Sequence, residues 1–222
     1  MSQLNDWDND GESINIMTLG NTAVGKTSFI IKYTEDTFQE VYLSTIGIDF
    51  KVKTVTIKDK QYKLFFYDTT GQERFRSLSF NIIKNAHGII LMYDITNKSS
   101  FNSIPEWIKN IKESKGEDFP MILCGNKIDK EDERVITREE SEELSNEYVI
   151  DFFEISNKNG INIEKAVLSL VKKILRHNKY KKQDLNTSVL SNKGIKPKKK
   201  FVCCWNYLYR FVNYFLNVDS VF

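Results

Sequence analysis

The sequence predicts an α/β fold in which a mostly parallel sheet of six strands has one antiparallel edge strand and helices on both faces. Short apolar runs alternate with amphipathic helical patterns, an order that favours parallel strands joined by crossover helices. Two runs, in "HGIILMYDIT" and "FPMILCGNK", are continuously apolar, which is typical of strands covered on both faces. The stretch "DFKVKTVTIKDKQYKLFFYD" alternates apolar and polar residues around a turn at Asp59–Lys60 and predicts a two-stranded hairpin.

The remaining elements follow in chain order. The first strand lies in "SINIMTLG" and stops at Gly20, and "GKTSFIIKYTED" follows as a helix. Three more amphipathic helices are predicted in "SFNSIPEWIKNIKES", "TREESEELSNEY" and "INIEKAVLSLVKKILRH", and the last strand lies in "VIDFFEIS". Because ligands bind beyond the carboxyl ends of the strands in such sheets, we expect the chemistry in the loops that follow the strands.

The composition is that of a globular protein with one main domain. The chain has 222 residues, of which 41% are hydrophobic and 28% charged, enough for a single buried core. Its cysteines, Cys124, Cys203 and Cys204, show neither a disulfide framework nor zinc spacing, which favours a reducing compartment. Residues 1–13 are polar and acidic, without the features of a signal peptide, and we expect them to form a disordered extension.

The net charge of +2 conceals a strongly basic segment near the end of the chain. Residues 172–200 hold eleven Lys and Arg against one acid, Asp184, so the part of the chain before them is acidic. A basic segment on an acidic body indicates contact with an anionic surface, either a membrane leaflet or nucleic acid.

The loop after the first strand, "GNTAVGKT", fits the phosphate-binding pattern G-x-x-x-x-G-K-[ST] in full. Gly20 and Gly25 allow tight backbone turns, so that main-chain N–H groups and the helix N-terminus face a phosphate. Lys26 would reach the β- and γ-phosphates, and the Thr27 hydroxyl would bind Mg²⁺. A chance glycine-rich turn is the competing interpretation, and the strand before and helix after the loop argue against it.

Polar residues follow two further strands. Asp68 ends the strand in "LFFYDTTGQERF", where an Asp beside a phosphate loop can hold the magnesium, although a lone strand-end Asp is usually a turn former. Asn126, Lys127 and Asp129 follow the strand in "MILCG". The Asp129 carboxylate can accept from the N1–H and the exocyclic amine of guanine, a donor pair that adenine lacks. Taken alone, this N-K-x-D pattern would indicate a polar turn.

Together these motifs resemble a known family. "GNTAVGKT", "DTTGQE", "NKID" and "EISNK" occur in the order and context of small Ras-like GTPases, and "STIGIDFK", "GQERFRSL" and "LMYDIT" narrow the resemblance. The chain resembles the Rab family, GTPases that switch membrane traffic. The resemblance covers residues 14–177 and implies a G domain at 14–178 that binds GTP or GDP with Mg²⁺.

The resemblance also implies roles for individual residues. Thr45 would coordinate Mg²⁺ and sense the γ-phosphate, Gly71 would offer its N–H to that phosphate, and Gln72 would orient the attacking water. The implied catalytic residues are Gln72, Lys26 and Gly71, and the implied metal ligands are Thr27, Thr45 and Asp68.

Further nucleotide contacts are implied at Gly20, Thr22, Ala23, Val24, Gly25, Ser28, Phe38, Asn126, Lys127, Asp129, Ser156, Asn157 and Lys158. Phe38 stands where the family stacks an aromatic ring on guanine, although it could equally anchor the loop. Asn157 stands where the family usually has Ala and uses its backbone N–H, so the substitution is compatible with that contact.

The resemblance implies a switch with slow intrinsic hydrolysis, because the chain shows no evident arginine finger. An activating protein would supply that arginine, an exchange factor would release GDP, and effectors would read the switch surface. The protein would act as a monomer on the cytoplasmic face of intracellular membranes and cycle with the cytosol. A GDP-dissociation inhibitor and the prenylation machinery would be partners if the chain is lipidated.

Two departures concern the switch regions. Thr70 replaces the usual Ala beside the γ-phosphate, where it could crowd the attacking water, so we expect slower hydrolysis than is typical. Tyr67 replaces a Trp and Ile82 an aromatic residue, so that only Tyr67 and Phe50 of the effector-facing aromatic triad remain aromatic.

The third departure is the tail. We expect residues 179–204 to form a flexible basic segment ending in Cys203 and Cys204, where Rab chains typically end in a prenylated pair. Residues 205–222 add an aromatic extension. The segment 201–218 is at the low limit of length for a transmembrane helix, and Arg210 at its centre makes it a poor one. It could be an interfacial anchor, or a translated read-through, because a Trp codon at 205 is one base from a stop codon.

Other functions remain open at this stage. Thr70 favours a hydrolysis-impaired scaffold that stays GTP-bound, whereas Gln72 opposes it. A P-loop nucleotide kinase is disfavoured by Asn126 and Asp129 and by the lack of an arginine cluster resembling a lid. A nucleic-acid binder built on the basic tail lacks a base-reading module, so we expect no nucleic-acid partner.

Overall fold

The computed structural model describes residues 12–38, 48–69 and 83–191. For residues 48, 49, 69 and 180–191 it describes the backbone alone. The chain divides into two units, Met1–Lys181 and Lys182–Phe222. All strands described below lie in the first unit. Of the second unit, only the end of the last helix is described.

The described part of the first unit is built on one sheet of six strands in the order β2-β3-β1-β4-β5-β6. Strand β2 is antiparallel to β3, and every other neighbouring pair is parallel, which confirms the predicted sheet. The strands are β1 Glu12–Leu19, β2 Ile48–Ile57, β3 Lys60–Thr69, β4 Gly88–Asp94, β5 Met121–Asn126 and β6 Asp151–Ile155. Strand β1 therefore begins two residues before the predicted domain boundary at residue 14.

The helices are α1 Lys26–Glu35, α2 Lys98–Asn102, α3 Ile104–Lys115, α4 Arg138–Tyr148 and α5 Ile163–Ser191, with a 3₁₀-helix at Ile128–Glu133. The sequence predicted one helix where α2 and α3 are separate. The separation falls at Ser103, and proline lies in the first turn of α3. Proline has no N–H to donate to a preceding turn, so it favours a new helix start over continuation.

The last helix corrects the predicted flexible segment that was to begin at residue 179. Helix α5 continues to Ser191. The sequence between Gly160 and Gly194 contains neither glycine nor proline, so no strong helix breaker ends the helix where its apolar face stops. The prediction relied on the run of basic residues. Such a run indicates that a segment is exposed to solvent, but it does not decide where a helix ends.

The β2–β3 hairpin turns one residue earlier than predicted. Lys58 and Asp59 both have positive φ, 49° and 62°, and Ile57 pairs directly with Lys60. Positive φ at both central residues is the pattern of a type I′ turn, whose twist matches that of the flanking strands. The hairpin places the antiparallel pair at one edge of the sheet, as expected.

The core has two apolar layers, one on each face of the sheet. On one face, Ile14 and Ile16 of β1 pack in a cluster with α1 and α5. On the other face, Met17 and Leu19 pack with Trp107 and the rest of the apolar side of α3. All residues of β4 and β5 are buried, which confirms the prediction from their continuous apolar runs. Helices therefore cover both faces.

The position of β1 fixes where a ligand can bind. Strand β1 lies at the centre of the sheet, with β3 on one side and β4 on the other. The chain first builds the sheet on one side of β1 and later on the other, and in such sheets ligands bind in the crevice at the carboxyl ends of the strands where this change of side occurs. The loop after Leu19 lies at that crevice.

The opposite end of β1 is joined to β4 through His87. The Asn15 N–H donates to His87 Nδ1 over 2.8 Å, and the His87 N–H donates to the Asn15 carbonyl, also over 2.8 Å. Desolvation of the ring, and secondly the charge of Lys115, lower the pKa of His87 below its ordinary 6.5. The fold therefore favours the neutral imidazole, whose Nδ1 can accept.

We expect this pairing to make the fold sensitive to mild acid. Because the folded pKa is depressed, the contribution of His87 is complete above about pH 6.5 and is lost as the pH falls through the lower folded value. In His87→Asn, the amide oxygen replaces Nδ1 as acceptor and does not titrate. Urea unfolding between about pH 7.5 and 5.0 should therefore show a weaker loss of stability in this variant than in the wild type.

The matched control for this experiment is Asn178→Ala, an exposed change that keeps both histidines. It should retain the wild-type loss of stability across the same pH range. An equal acid sensitivity of His87→Asn and the wild type would show that the pairing does not titrate in this range.

Candidate nucleotide-binding site

The loop between β1 and α1 requires glycine at both ends. Gly20 has φ 139°, and a Cβ there would lie 2.1 Å from the Met92 carbonyl oxygen of β4. Gly25 has φ 100°, and a Cβ there would lie 2.4 Å from Asn126 Nδ2. Both contacts are far shorter than a carbon atom tolerates, so the two glycines let the loop lie directly against β4 and β5.

Helix α1 presents its N-terminus to this loop. Gly25 is the N-cap, no side chain caps the helix there, and its first turn has no acidic residue. The first N–H groups of a helix have no partners within the helix, and the helix dipole makes this end partly positive. The arrangement suits an anion such as a phosphate.

Lys26 is held across the same loop. Its side chain is buried, and Nζ donates to the Gly20 carbonyl over 2.9 Å and to the Asn21 carbonyl over 2.8 Å. These two carbonyls orient the ammonium. A phosphate lying against the loop would be a further, charged acceptor for it.

Thr27 and Asp68 meet at the ends of α1 and β3. The Thr27 hydroxyl donates to Asp68 Oδ2 over 2.5 Å, and Asp68 is buried. A hydroxyl and a carboxylate are hard oxygen donors, which fit Mg²⁺, an ion usually bound by one or two protein oxygens together with water and substrate phosphates. Among the described residues there is no cluster of three or more acidic, His or Cys side chains that could hold a metal alone.

Asn126, at the end of β5, connects the phosphate loop to the loop after β6. Its Nδ2 donates to the Val24 carbonyl over 2.9 Å, and its Oδ1 accepts from the Asn157 N–H over 3.2 Å. The side chain of Asn157 adds a second connection, because its Nδ2 donates to the Gly25 carbonyl over 2.8 Å. The three loops at this end of the sheet are therefore joined by side-chain amides.

Asp129 and Ser156 form the second link between the loops after β5 and β6. The fully buried Ser156 hydroxyl donates to Asp129 Oδ1 over 2.5 Å and accepts from the Asn159 N–H over 3.1 Å. Asp129 itself is exposed. Because one carboxylate oxygen is fixed by serine, the orientation of the other is also constrained, which suits recognition of a planar donor pair.

Lys127 is oriented by a residue that the sequence analysis did not identify. Its Nζ forms an ion pair with Asp94 Oδ2 over 2.6 Å, and Asp94 Oδ1 accepts from the N–H and hydroxyl of Thr96. Asp94 is the last residue of β4, and this position at a strand end was the signal in the sequence that could have marked it as a site residue. Lys127 has φ 74°, which turns the chain sharply between β5 and the 3₁₀-helix.

Asn21, in the phosphate loop, was also missed. Its side chain bonds with Trp107 and Ser103 at the start of α3. The motif leaves this position unspecified, and the partners are far away in sequence, so no local pattern indicated the contact.

Most of the predicted nucleotide contacts are brought together by the structure. Gly20 to Ser28 lie in the loop and first turn of α1, and Asn126, Lys127, Asp129, Ser156 and Asn157 lie in the two adjoining loops. Thr22, Ala23 and Lys158 are exposed, and Phe38 is partly exposed at the end of the first described range. Thr45, Thr70, Gly71, Gln72, Ile82, Cys203 and Cys204 lie outside the described residues.

Comparison with known proteins identifies the family to which this site belongs. Residues 15–176 match the model of the Ras family. The chain is 43% identical to Ras-related protein Rab-10 of Diplobatis ommata over 179 residues, 81% of this chain and 90% of the relative. It is 46% identical to Ras-related protein Rab-13 of Rattus norvegicus over 160 residues, 72% of this chain and 79% of the relative. The chain belongs to the Rab family of small GTPases.

A third relative, Ras-related protein Rab-3A of Homo sapiens, is 45% identical over 156 residues, 70% of this chain and 71% of the relative. As a Rab GTPase, the protein binds GTP and GDP with Mg²⁺ and hydrolyses GTP, the general properties of its family. Within the described ranges, no helix is both long and apolar enough to span a bilayer.

Proposed function

We propose that this Rab GTPase is a GTP/GDP-switched regulator of intracellular vesicle trafficking with slow, Mg²⁺-dependent hydrolysis. The observation that carries the proposal is the joining of the phosphate loop to the N-K-x-D and S-N-K loops through Asn126 and Asn157. A site built in this way holds the phosphates and the base of one nucleotide at the same time, which a guanine-nucleotide switch requires.

The described residues supply the two halves of nucleotide binding. Lys26 and the N-terminus of α1 would hold the phosphates, and Asp129, oriented by Ser156, would accept from the N1–H and amine of guanine. Thr27 and Asp68 would hold Mg²⁺, which would supply positive charge to offset the negative charge of the phosphates. Asn157 would supply its backbone N–H near the guanine, and Phe38 would stack on the ring.

Switching and hydrolysis are assigned through the family resemblance. Thr45 would sense the γ-phosphate, Gly71 would bind it through a backbone N–H, and Gln72 would orient the attacking water. Ordering of the two switch segments by GTP, and their release on hydrolysis, would be read by partners. Intrinsic turnover would be slow, because an activating protein supplies the arginine.

We place effector contact on the switch surface that includes Phe50, Tyr67 and Ile82. Phe50 is 53% exposed, and its ring lies 6.3 Å from that of Tyr67. An exposed Phe50 beside a partly buried Tyr67 on an edge hairpin is the type of surface that protein partners bind. An exchange factor, an activating protein and a GDP-dissociation inhibitor would act on the monomeric protein, and we assign it no nucleic-acid ligand.

We further propose that the protein cycles between the cytosol and the cytoplasmic face of an intracellular membrane. The supporting feature is the pair Cys203–Cys204 after a basic run, which prenylation and anionic lipids would together attach to a bilayer. Mass spectrometry of the native protein's C-terminal peptides tests this. Unmodified Cys203 and Cys204 in the membrane fraction would contradict it.

The substitution Asp129→Asn should change the base that the protein prefers. The new amide oxygen would still accept from N1–H. The new amide nitrogen would face the exocyclic amine of guanine, which is also a donor, so that no hydrogen bond forms there. Xanthine has an oxygen at C2 in place of this amine, and that oxygen can accept from the amide nitrogen. One charge-assisted hydrogen bond becomes neutral and the other is replaced by two donors that face each other, which should weaken GDP binding about 100-fold. Competition of fluorescent GDP with GDP, XDP and ADP measures the change.

The matched control is Asp132→Asn, which removes an exposed carboxylate from the same 3₁₀-helix. This variant should keep the wild-type order of preference, with GDP bound far more tightly than XDP or ADP. Equal binding of GDP and ADP by the wild type would contradict the proposed base recognition.

The alternative function is a hydrolysis-impaired scaffold that remains bound to GTP, and Thr70 is the residue that favours it. Its hydroxyl and methyl would stand beside the γ-phosphate, where the family has only a methyl. Thr70→Ala should therefore speed single-turnover GTP hydrolysis, by about threefold or more if one crowding contact is removed.

Thr54→Ala, an exposed change on β2, serves as the control for removal of a threonine hydroxyl and should leave the rate unchanged. Hydrolysis by Thr70→Ala that is no faster than the wild type would reject the crowding effect. A wild-type rate at the level of Gln72→Ala would favour the scaffold.

A further inference from the structure

We propose that Asn21 and Trp107 form a positioning pair that braces the phosphate loop against α3 and thereby slows the release of GDP. The inference rests on the proposed assignment of the Gly20–Thr27 loop as the phosphate site. It adds to that assignment Asn21, at an unspecified position of the motif, and Trp107, which lies on α3.

The contact uses both polar groups of the Asn21 side chain. Trp107 Nε1 donates to Asn21 Oδ1 over 3.2 Å, and Asn21 Nδ2 donates to Ser103 Oγ over 3.0 Å. The Ser103 hydroxyl donates onward to the Ser99 carbonyl over 3.0 Å. The amide is thus fixed in one orientation by a donor and an acceptor at the start of α3.

The backbone of Asn21 connects this anchor to the phosphate-binding lysine. The Asn21 carbonyl accepts from Lys26 Nζ over 2.8 Å, next to the bond from the same ammonium to Gly20. A displacement of Asn21 would therefore move one of the carbonyls that orient the ammonium. The side chain of Asn21 acts on a phosphate only through Lys26 and the loop backbone.

Helix α3 is a rigid place to anchor a loop. Trp107 is 7% exposed, and Ile104, Ile108 and Ile111 on the same side of the helix are fully buried in the apolar layer beneath it. Close-packed core residues move little, so a hydrogen bond to the indole of Trp107 holds the loop at a fixed place relative to the core.

The brace acts on the first half of the loop, while other contacts hold the second half. Val24 and Gly25 are tied to the end of β5 through Asn126 and to the loop after β6 through Asn157. Between the two tethered parts lie Thr22 and Ala23, which are exposed. A loop held at both ends keeps its N–H groups aimed at one point, which favours a bound phosphate over its release.

A purely structural role is the competing explanation. Asn21 could simply stabilise the start of α3, whose N-cap Ser103 makes no capping bond with its own side chain. In that case, loss of the side chain would lower the stability of the fold without a specific effect on GDP release. The two explanations therefore differ in the quantity that the mutation changes.

The test is a double-mutant cycle on the release of fluorescent GDP, chased with excess GDP in Mg²⁺. Asn21→Ala should speed release about fivefold, and Trp107→Phe, which removes the Nε1 donor, about threefold, the effects expected of one or two neutral hydrogen bonds. In the double variant, Trp107→Phe should add no further acceleration. Any effect of Trp107→Phe on packing is present both in the wild type and in Asn21→Ala, so it cancels in the comparison.

Two further variants separate positioning from general damage. In Asn21→Asp, the carboxylate can still accept from Trp107 and can accept from the Ser103 hydroxyl, so release should return close to the wild-type rate. Ser103→Ala removes one bond from the outside and should have a smaller effect than Asn21→Ala. If Asn21→Ala does not fold, Trp107→Phe and Ser103→Ala still carry the test.

Each outcome discriminates. Equal acceleration by Trp107→Phe in the wild-type and Asn21→Ala backgrounds, or unchanged release in Asn21→Ala with a lower unfolding midpoint, would overturn the brace. Failure of the wild type to retain GDP would instead reject the assignment of the phosphate site. Normal GDP retention with no coupling rejects only the brace.

Discussion

The side-chain amide of Asn126 is the contact on which the whole site depends, because it is the point where three loops meet. One end donates to the Val24 carbonyl of the phosphate loop, and the other accepts from the Asn157 N–H in the loop after β6. The residue is buried at the end of β5. A buried amide is costly to leave unsatisfied, so its two bonds fix both loops relative to the sheet. The loops to which we assign base recognition and phosphate binding thus share one anchor.

That anchor works because the sheet brings β5 beside β4, and β4 beside β1, at their carboxyl ends. The first glycine of the phosphate loop lies so close to the Met92 carbonyl that any Cβ would overlap it. The loop therefore cannot move toward β4, and its position is set by the packing of strands rather than by the loop itself. The parallel strand order, the central position of β1 and the glycine at position 20 together determine where the loop lies against β4.

The sequence predicted the fold well, because the fold depends on local patterns. Continuous apolar runs identified β4 and β5, and strict alternation identified the β2–β3 pair. Motif spacing made Gly20 and Lys26 candidate site residues, and a strand end made Asp68 one. Element boundaries were predicted wrongly where the deciding factor was a single residue, or its absence, and not a periodic pattern. The break before α3 depended on one proline, and the extension of α5 depended on the absence of a breaker rather than on any pattern.

The residues that orient the site were the hardest to foresee. Trp107 is 86 residues from Asn21 in sequence, and a tryptophan on an amphipathic helix indicates only core packing. Asp94 ends a buried strand, which gave a position but no partner. Pairing across the sheet appears only when the strands are in register, so such contacts need the three-dimensional structure.

These orienting contacts have a common physical consequence. Ser156 holds Asp129, Asp94 holds Lys127, and the Gly20 and Asn21 carbonyls hold Lys26. A side chain already fixed in its binding orientation loses little conformational entropy when a ligand arrives, so more of the interaction energy appears as affinity. By the same argument the proposed brace would slow release, because the ligand would have to leave a site that does not relax around it. The contacts that hold the loops come from α3, β4, β5 and the loop after β6, so their position is set by the packing of the whole domain and not by the loops alone.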